Sequence, residues 1–547
     1  MTRARRTFPI LLLAGVVSLG FAVAYFRLWP FVIDDTFISL RYAKNLAAGH
    51  GLVYNLGERV EGYTNFLWTV ALAIPQLLRV DPVPVLKLAN LILALATAWL
   101  IYRLGRESVF ASGAMAIPPA RGPEGGAQRA PGSRTGREGN RPSHESRAAR
   151  RQPVAAPASR PSDATELAVS SALLFLVTPA VVLSAAEGLE TMLFTFFLAL
   201  AALWFFEERE AASFPRSALA LVALALTRPD GAVFGLFFLA IAVAWRRQRG
   251  YLARFAALFL GIGAIYFIAR WAYYGQLLPN TFYAKGTGTR ALLAQGWFQL
   301  RAFGTEFGAL AWFAMIPALI ARRTRRAALV LFGIFALRIA FQLWSGGAWM
   351  GRYRFLVPVI PFVILLVVAG LAAIRPPLAR RAALAVAATV LIGPGWLLYS
   401  RSESIALDYA ASLARAHIQL GRAIHAGTSP GAVMAMDDAG AGPYFAERTN
   451  IDMLGLNDTH IAHLPGRYNE KFDVAYVLGR KPDLVVLASR VPEPAEDRDL
   501  RLPGHAALFR DPRFQAEYRF VRPYMFNPTY YLSVYRWLDS TAVPADF

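Results

Sequence analysis

The sequence predicts an α-helical protein that crosses a membrane many times and ends in a separate, water-soluble α/β domain. Of its 547 residues, 56% are hydrophobic, and many of these are gathered into apolar runs of spanning length. The positive charge sits mostly in short segments between those runs, where it sets topology. After about residue 400 the composition changes to short strand-like runs separated by turn residues and helical patterns.

The first apolar run, 8–26, follows Arg3, Arg5 and Arg6 and leads into Tyr25-Phe26-Arg27-Leu28-Trp29-Pro30. No small-residue cleavage site closes it, so it reads as an uncleaved first helix with a cytoplasmic N-terminus. Further spans are placed at 85–104, 166–184, 190–206, 216–227, 231–245, 255–273, 306–320, 327–344, 356–374 and 382–399, about eleven transmembrane helices in all. The apolar stretch 64–78 is a twelfth candidate. Counting it as a span would export residues 105–163, which carry ten Arg against five acids. It is therefore laid in the membrane surface as an interfacial helix. With that choice Arg246-Arg247-Gln248-Arg249, Arg322-Arg323-Thr324-Arg325-Arg326 and Arg380-Arg381 all face the cytoplasm, and an odd count exports the C-terminus.

Four regions follow. Residues 1–110 hold the N-terminal spans and a first exported loop, 31–84. Residues 111–163, rich in Gly, Pro, Ala, Ser and Arg without apolar periodicity, read as a disordered basic cytoplasmic insert. Residues 164–400 hold the remaining spans. Residues 401–547 form the exported α/β domain, with a helical stretch near 403–426 and strand-like runs at Ala432–Met436, Leu484–Ala488 and Tyr531–Trp537. The expected location is the bacterial cytoplasmic membrane.

Composition excludes some chemistry. The formal charge of +21 does not mark a nucleic-acid partner, because the loops that orient the spans account for it. With no Cys, there are no disulfides, thiolate metal sites or Cys nucleophiles. His460 and His463 have a spacing that metal ligands use, and equally one that ordinary surface residues show after the capping residues Asn457 and Asp458.

The densest polar information lies in the loop 31–84. Asp34 and Asp35 stand at the end of the first span, before a helix from Thr36 to Ala48 that Gly49 and Gly51 stop. Adjacent carboxylates at a membrane surface repel each other and resist desolvation unless something uses them. The structural alternative is that Asp35 caps the helix and Asp34 pairs with Arg41.

The run Asp34-Asp35-Thr-Phe-Ile-Ser-Leu-Arg-Tyr-Ala-Lys-Asn, with Gly49-His50-Gly51 and Gly57-Glu58-Arg59-Val60-Glu61-Gly62-Tyr63-Thr64-Asn65-Phe66, resembles the GT-C superfamily of polyprenyl-phosphate-sugar-dependent glycosyltransferases. It is most similar to the branch that holds the terminal arabinofuranosyltransferase of actinobacterial cell walls. The likeness continues at Glu187–Thr191, Thr227–Gly231, Leu278–Lys285, Gly346–Met350 with Arg352 to Pro361, Asp438–Gly442 and Asn450–Asp458. It implies a GT-C-like fold and transfer of a sugar from polyprenyl phosphate to an extracytoplasmic glycan, lipid or protein, with no cofactor and no divalent metal expected. Asp34 and Asp35 match the position of the superfamily's catalytic base. Asp34 is favoured, because Asp35 is the better placed cap. The lipid phosphate leaves readily, so the site needs cations more than a general acid. Arg352, Arg354, Lys285 and Arg228 are the phosphate candidates, and the alternative for each is a headgroup anchor. Candidate substrate contacts are Arg41, Lys44, Asn45, His50, Glu61, Tyr63, Asn65, Glu190, Asn280, Tyr283 and Trp349. The branch's Gly-Gly-Asp-Trp pattern has Ala348 in place of the Asp. That change keeps alive a non-catalytic scaffold for envelope or flagellar assembly. A transporter of polyprenyl-linked sugar would need charges deep in the spans and inverted repeats.

Overall fold

The structure is a computed structural model that describes residues 3–110, 161–208, 213–245, 247–286, 289–348 and 353–547. The expected insert 111–163 lies outside these residues except for 161–163. Trp349 and Arg352 lie outside them as well.

The first helices are α1 (Arg3–Arg27), α2 (Asp34–Ala47), α3 (Phe66–Leu77), α4 (Pro82–Leu104), α5 (Pro161–Leu176), α6 (Pro179–Ala186), α7 (Thr191–Glu207), α8 (Arg216–Thr227) and α9 (Gly231–Ala244). Among the described residues five helices are long and apolar enough to cross a membrane, or seven if each of two bent pairs counts as one span. All eleven predicted segments fall on helices, with two differences. The run 166–184 is broken into α5 and α6, which meet at 54°. Pro179 opens α6, and a residue before proline resists the helical conformation. The run 306–320 and the expected loop 274–305 are also redrawn. Residues Asn280–Lys285 and Arg290–Glu306 are helices, and the second turns through 80° before the chain continues at 309–320. Gly308, at φ +43°, makes that corner, and an added Cβ there would overlap the Val390 backbone. Helix α3 has 12 residues, about 18 Å at 1.5 Å per residue, too short for a hydrocarbon core of about 30 Å. One continuous apolar cluster joins α1, α4 to α9 and the later spans.

The C-terminal part carries one mixed sheet: β1 (Val433–Met436), β2 (Thr449–Asp452), β3 (Leu484–Ser489), β4 (Tyr518–Asn527) and β5 (Tyr530–Trp537). Their order is β2-β1-β3-β5-β4. The first three strands are parallel, and β5 runs antiparallel to both β3 and β4. Alternate residues feed two cores. Ala435, Ile451, Val485 and Leu487 pack on one face, and Met434, Met436, Leu484 and Val486 on the other. A near-continuous helical stretch from Tyr399 to Gly427 joins this domain to the last span.

Candidate active site

Helix α2 begins at Asp34 itself. Ile33 is the N-cap residue, and no side chain caps the end. Both acids therefore lie in the first turn, where the helix dipole favours negative charge. This corrects the expectation that Asp35 caps the helix. Two bonds to the end of α6 fix this turn: the Ile33 N–H and the Thr36 hydroxyl donate to the Glu187 carbonyl at 3.1 and 3.3 Å. Gly188, at φ +91°, lies where a Cβ would crowd Thr36 at 3.0 Å. The Glu187–Thr191 segment thus brings Glu190 in beside the start of α2.

From Glu190 a buried chain of charges runs inward. Its Oε1 pairs with Arg228 at 2.9 Å and lies 3.9 Å from Arg354. Its Oε2 accepts from Asn65 at 3.1 Å, and Asn65 is bonded to Ser39 of α2. Arg228 also pairs with Asp230 at 2.9 Å, and Asp230 pairs with Arg338. Three guanidinium groups thus face two carboxylates. The Nε and Nη1 atoms of Arg354 are buried without a hydrogen-bond partner. Lys285, at the end of the short helix after Asn280, is solvent-accessible yet crowded. Burial lowers the pKa of its ammonium, Arg354 and Arg228 add to that, and Asp35 and Glu190 oppose it. Asp35, Lys285, Arg354, Arg228 and Glu190 therefore share one electrostatic neighbourhood.

Asp34 points away from these cations into the C-terminal domain. Its Oδ1 accepts the Ala441 N–H at 2.8 Å. Gly440 presses so close that a Cβ there would overlap the Asp34 carboxylate. Burial raises this carboxyl to about 7, against the lowering pull of His417. Behind it lie the consecutive Asp437 and Asp438. Asp438 Oδ2 receives His417 Nε2 at 2.7 Å and the Tyr530 hydroxyl at 2.5 Å. Burial opposes charge on both members of the His417–Asp438 pair, but their attraction outweighs it, so His417 is raised and Asp438 lowered. Asp437, buried beside that ionised neighbour, is raised well above the carboxylate range.

Most of the other sequence-predicted residues build the loop. All three guanidinium nitrogens of Arg41 donate to protein oxygens: Tyr54 O (2.8 Å), Asn55 Oδ1 (3.1 Å), Arg448 O (2.6 Å) and Pro443 O. Arg41 does not pair with Asp34. Lys44 pairs with Glu447 across the same junction. Asn45 donates to Val53 O at 2.8 Å, and Tyr63 meets the Tyr274 hydroxyl at 3.1 Å. Glu61 binds Arg270 at 2.6 Å, and Asn280 donates to the carbonyls of Gly455 and Leu456 at 2.8 and 3.0 Å. Tyr283 stacks on His463 at 4.4 Å, and His50 is exposed. His460 and His463 have separate partners, Asp473 Oδ2 at 2.9 Å and Thr459 O at 2.8 Å. Among the described residues no group of three His, Asp or Glu is arranged to hold a metal ion. Ala348 is buried, and its carbonyl accepts from Gln299.

Sequence reasoning missed Arg338, Asp437, His417, His505 and Tyr530. Arg338 did carry a signal, a lone charge within the apolar helix Arg325–Ser345.

Comparison with known proteins follows the same lines. A family model described as a domain of unknown function, DUF8728, matches residues 406–538. A terminal β-(1→2)-arabinofuranosyltransferase of Mycobacterium tuberculosis is 29% identical over 278 residues, covering 47% of this chain and 35% of that protein. The protein of the same description from Corynebacterium glutamicum is 45% identical over 62 residues, covering 11% of this chain and 8% of that protein. The chain thus spans about a third or less of the curated relatives it matches. The crystal structure of ArnT from Cupriavidus metallidurans bound to undecaprenyl phosphate aligns over 98% of this chain and 99% of its own, with a TM-score of 0.57 and 14% identity. Its apo form aligns over 88% of this chain and 93% of its own, with a TM-score of 0.52 and 14% identity. This chain is a multi-pass membrane protein with a small C-terminal sheet domain, and it shares the fold of ArnT.

Proposed function

We propose that this protein is a membrane glycosyltransferase that moves a sugar from a polyprenyl-phosphate donor to an acceptor outside the cytoplasm. The observation that carries the reading is the meeting of an acidic helix start with a cationic cluster: Glu190, tied to α2 through Asn65 and Ser39, holds Arg228 at 2.9 Å and lies 3.9 Å from Arg354, and Asp35 acts on Lys285. The acceptor hydroxyl oxygen attacks the anomeric carbon, the bond from that carbon to the phosphate oxygen breaks, and its electron pair stays on the lipid phosphate. Lys285, Arg354 and Arg228 hold that phosphate. The hydroxyl proton passes to Asp35.

The base is assigned to Asp35 rather than Asp34. Asp34 is buried, with one oxygen committed to the Ala441 N–H and its carboxylate packed on Gly440. Asp35 is only half-buried and, with Glu190, acts on Lys285. Asp34 then serves as the tie that holds this turn against the C-terminal domain. The names of the curated relatives and the ArnT complex favour arabinofuranose as the sugar and a polyprenyl phosphate as the carrier. The acceptor is an extracytoplasmic glycan, lipid or protein. The basic loops favour a cytoplasmic N-terminus and an exported C-terminal domain. The contacts of α2 with Ala441 and Pro443 require the first loop and that domain to share one side.

The test is transfer of radiolabelled sugar from polyprenyl phosphate by membranes that hold each variant at matched expression. Asp35→Asn should lose about a hundred- to ten-thousandfold, because an amide takes no proton at neutral pH. Asp34→Asn should keep more activity, since an amide oxygen still accepts the Ala441 N–H. Full activity in both variants would end the catalytic reading of this turn.

A further inference from the structure

The C-terminal sheet has a feature that the transfer scheme leaves unused. Strand β1 lies between β2 and β3, so the crossover out of β1 and the crossover into β3 leave on opposite sides. In open parallel sheets a crevice opens at such a switch point, outside the carboxyl ends of the strands, and ligands bind there. Here that position is polar. The carboxyl end of β1 continues into Asp437 and Asp438. His505 is held at the end of β3, where its Nδ1 accepts the Ala488 N–H at 3.0 Å. That bond places the proton of a neutral His505 on Nε2.

Three atoms in this cluster are buried without a hydrogen-bond partner: His505 Nε2, Asp437 Oδ1 and His417 Nδ1. Their residues are 1%, 4% and 3% exposed. His505 Nε2 points at Asp437 Oδ2 from 4.0 Å, too far for a hydrogen bond. Buried polar atoms are paired almost everywhere in proteins, so three unpaired ones together are unusual. Asp438 opens the cluster to solvent. Its side chain is 28% exposed, and His417 and Tyr530 fix its Oδ2.

We propose that this crevice is the acceptor subsite and takes one sugar ring of a hydroxyl-rich acceptor, with Asp438 receiving a ring hydroxyl. The inference rests on the glycosyltransferase reading. Charge divides the cleft. The Lys285 and Arg354 side suits a lipid phosphate, whereas the ionised Asp438 would repel one. A neutral polyol suits the acidic side, because its hydroxyls donate to carboxylates and accept from His505 Nε2. Asp34 joins the crevice to Asp35 through the Gly440–Ala441 contact, so a ring held by Asp438 lies next to the base.

The experiment reads binding without turnover. Full-length protein in detergent is mixed with the methyl glycosides of arabinofuranose, galactofuranose, glucose and mannose, and saturation-transfer NMR follows each sugar. At least one should bind the wild type, and Asp438→Asn should weaken that binding at least tenfold. Tyr530→Phe, which removes one hydroxyl and keeps the ring, should weaken it by less and serves as the test if Asp438→Asn does not fold. Polyprenyl phosphate should bind all three proteins alike. Glycoside binding that survives in both variants, no glycoside binding to the wild type, or a divalent cation bound there instead would each overturn the subsite. A wild type that binds a glycoside but transfers no sugar would remove the transferase reading and leave a saccharide site. Transfer without glycoside binding would remove only the subsite.

Discussion

Glu190→Gln tests the electrostatic reasoning most directly. Glu190 and Asp230 face the guanidinium groups of Arg228, Arg338 and Arg354, an excess of one positive charge, and Lys285 adds a second, which Asp35 offsets until it takes up the acceptor proton. A lipid monophosphate, the product of transfer, carries a charge of about −1.5 to −2. The site's excess therefore matches the product. Gln keeps the size of Glu190 and its contact with Asn65 but raises the excess by one. Glu190 is 3% exposed, and removing one partner of a buried ion pair costs about 3–5 kcal/mol. Arg228 keeps Asp230, which favours the lower end, near 3 kcal/mol. The assay is thermal unfolding in detergent, followed by tryptophan fluorescence, with and without polyprenyl phosphate. The variant should unfold at lower temperature than wild type, and the lipid should restore more stability to the variant than it adds to the wild type. At a hundredfold excess over Kd a ligand contributes about 2.7 kcal/mol, so the restoration is measurable. Equal stability of the two proteins without lipid, or equal stabilisation of both by it, would refute the charge-matching argument.

Two further outcomes follow from the junction between α2 and the C-terminal domain. Gly440→Ala should force the Asp34 carboxylate off its seat, reduce transfer at least tenfold and open residues 31–84 to limited proteolysis; an unchanged digestion pattern would mean that the seat yields without effect. The second outcome concerns pH. Burial raises Asp34 from its ordinary 3.8 to about 7, so the stability it lends is fully present below pH 4 and is lost as pH rises through 7. Asp452 behaves alike, and His505, depressed from 6.5 to about 4, works in the opposite sense. The stability difference between wild type and Asp34→Asn, from denaturant titrations at several pH values, should therefore shift against the wild type between pH 4 and 7. A difference that stays constant over that range would contradict the assignment.

Charge rather than length set 64–78 aside, since a span there would export ten Arg, and hydropathy marked the other segments as apolar runs. Hydropathy could not show the corner at Gly308, where geometry rather than composition turns the chain. In the sheet, β1, β3 and β5 are apolar enough to be seen. Strand β2, Thr449-Asn450-Ile451-Asp452, is four residues with two polar side chains that the domain buries. Strand β4 carries Arg519, Arg522 and Pro523, which suit a sheet edge and disguise a strand. The acidic pair and the cations Arg228, Lys285 and Arg354 were visible because they stand in motifs at helix ends. Arg41, Asn45 and Asn280 stood in the same motifs, yet their bonds are those of a loop held in shape. His417, Asp437, His505 and Tyr530 come from four separate segments, and only the folded sheet brings them together. The choice between Asp34 and Asp35 was likewise hidden, since it depends on Ala441, 407 residues along the chain.

That separation in sequence has a consequence for biosynthesis. The ribosome emits the N-terminus first, and at about 5–20 residues per second the partner of Asp34 emerges some 20–80 seconds after Asp34 itself. Throughout that interval the acidic turn lacks its seat, and the carbonyls of Pro443 and Arg448 that Arg41 will bind are still untranslated. A chain stalled before Gly440 therefore holds every residue of the cationic cluster and still lacks the contact that seats Asp34. The turn is completed only after residues 441 to 448 have been made.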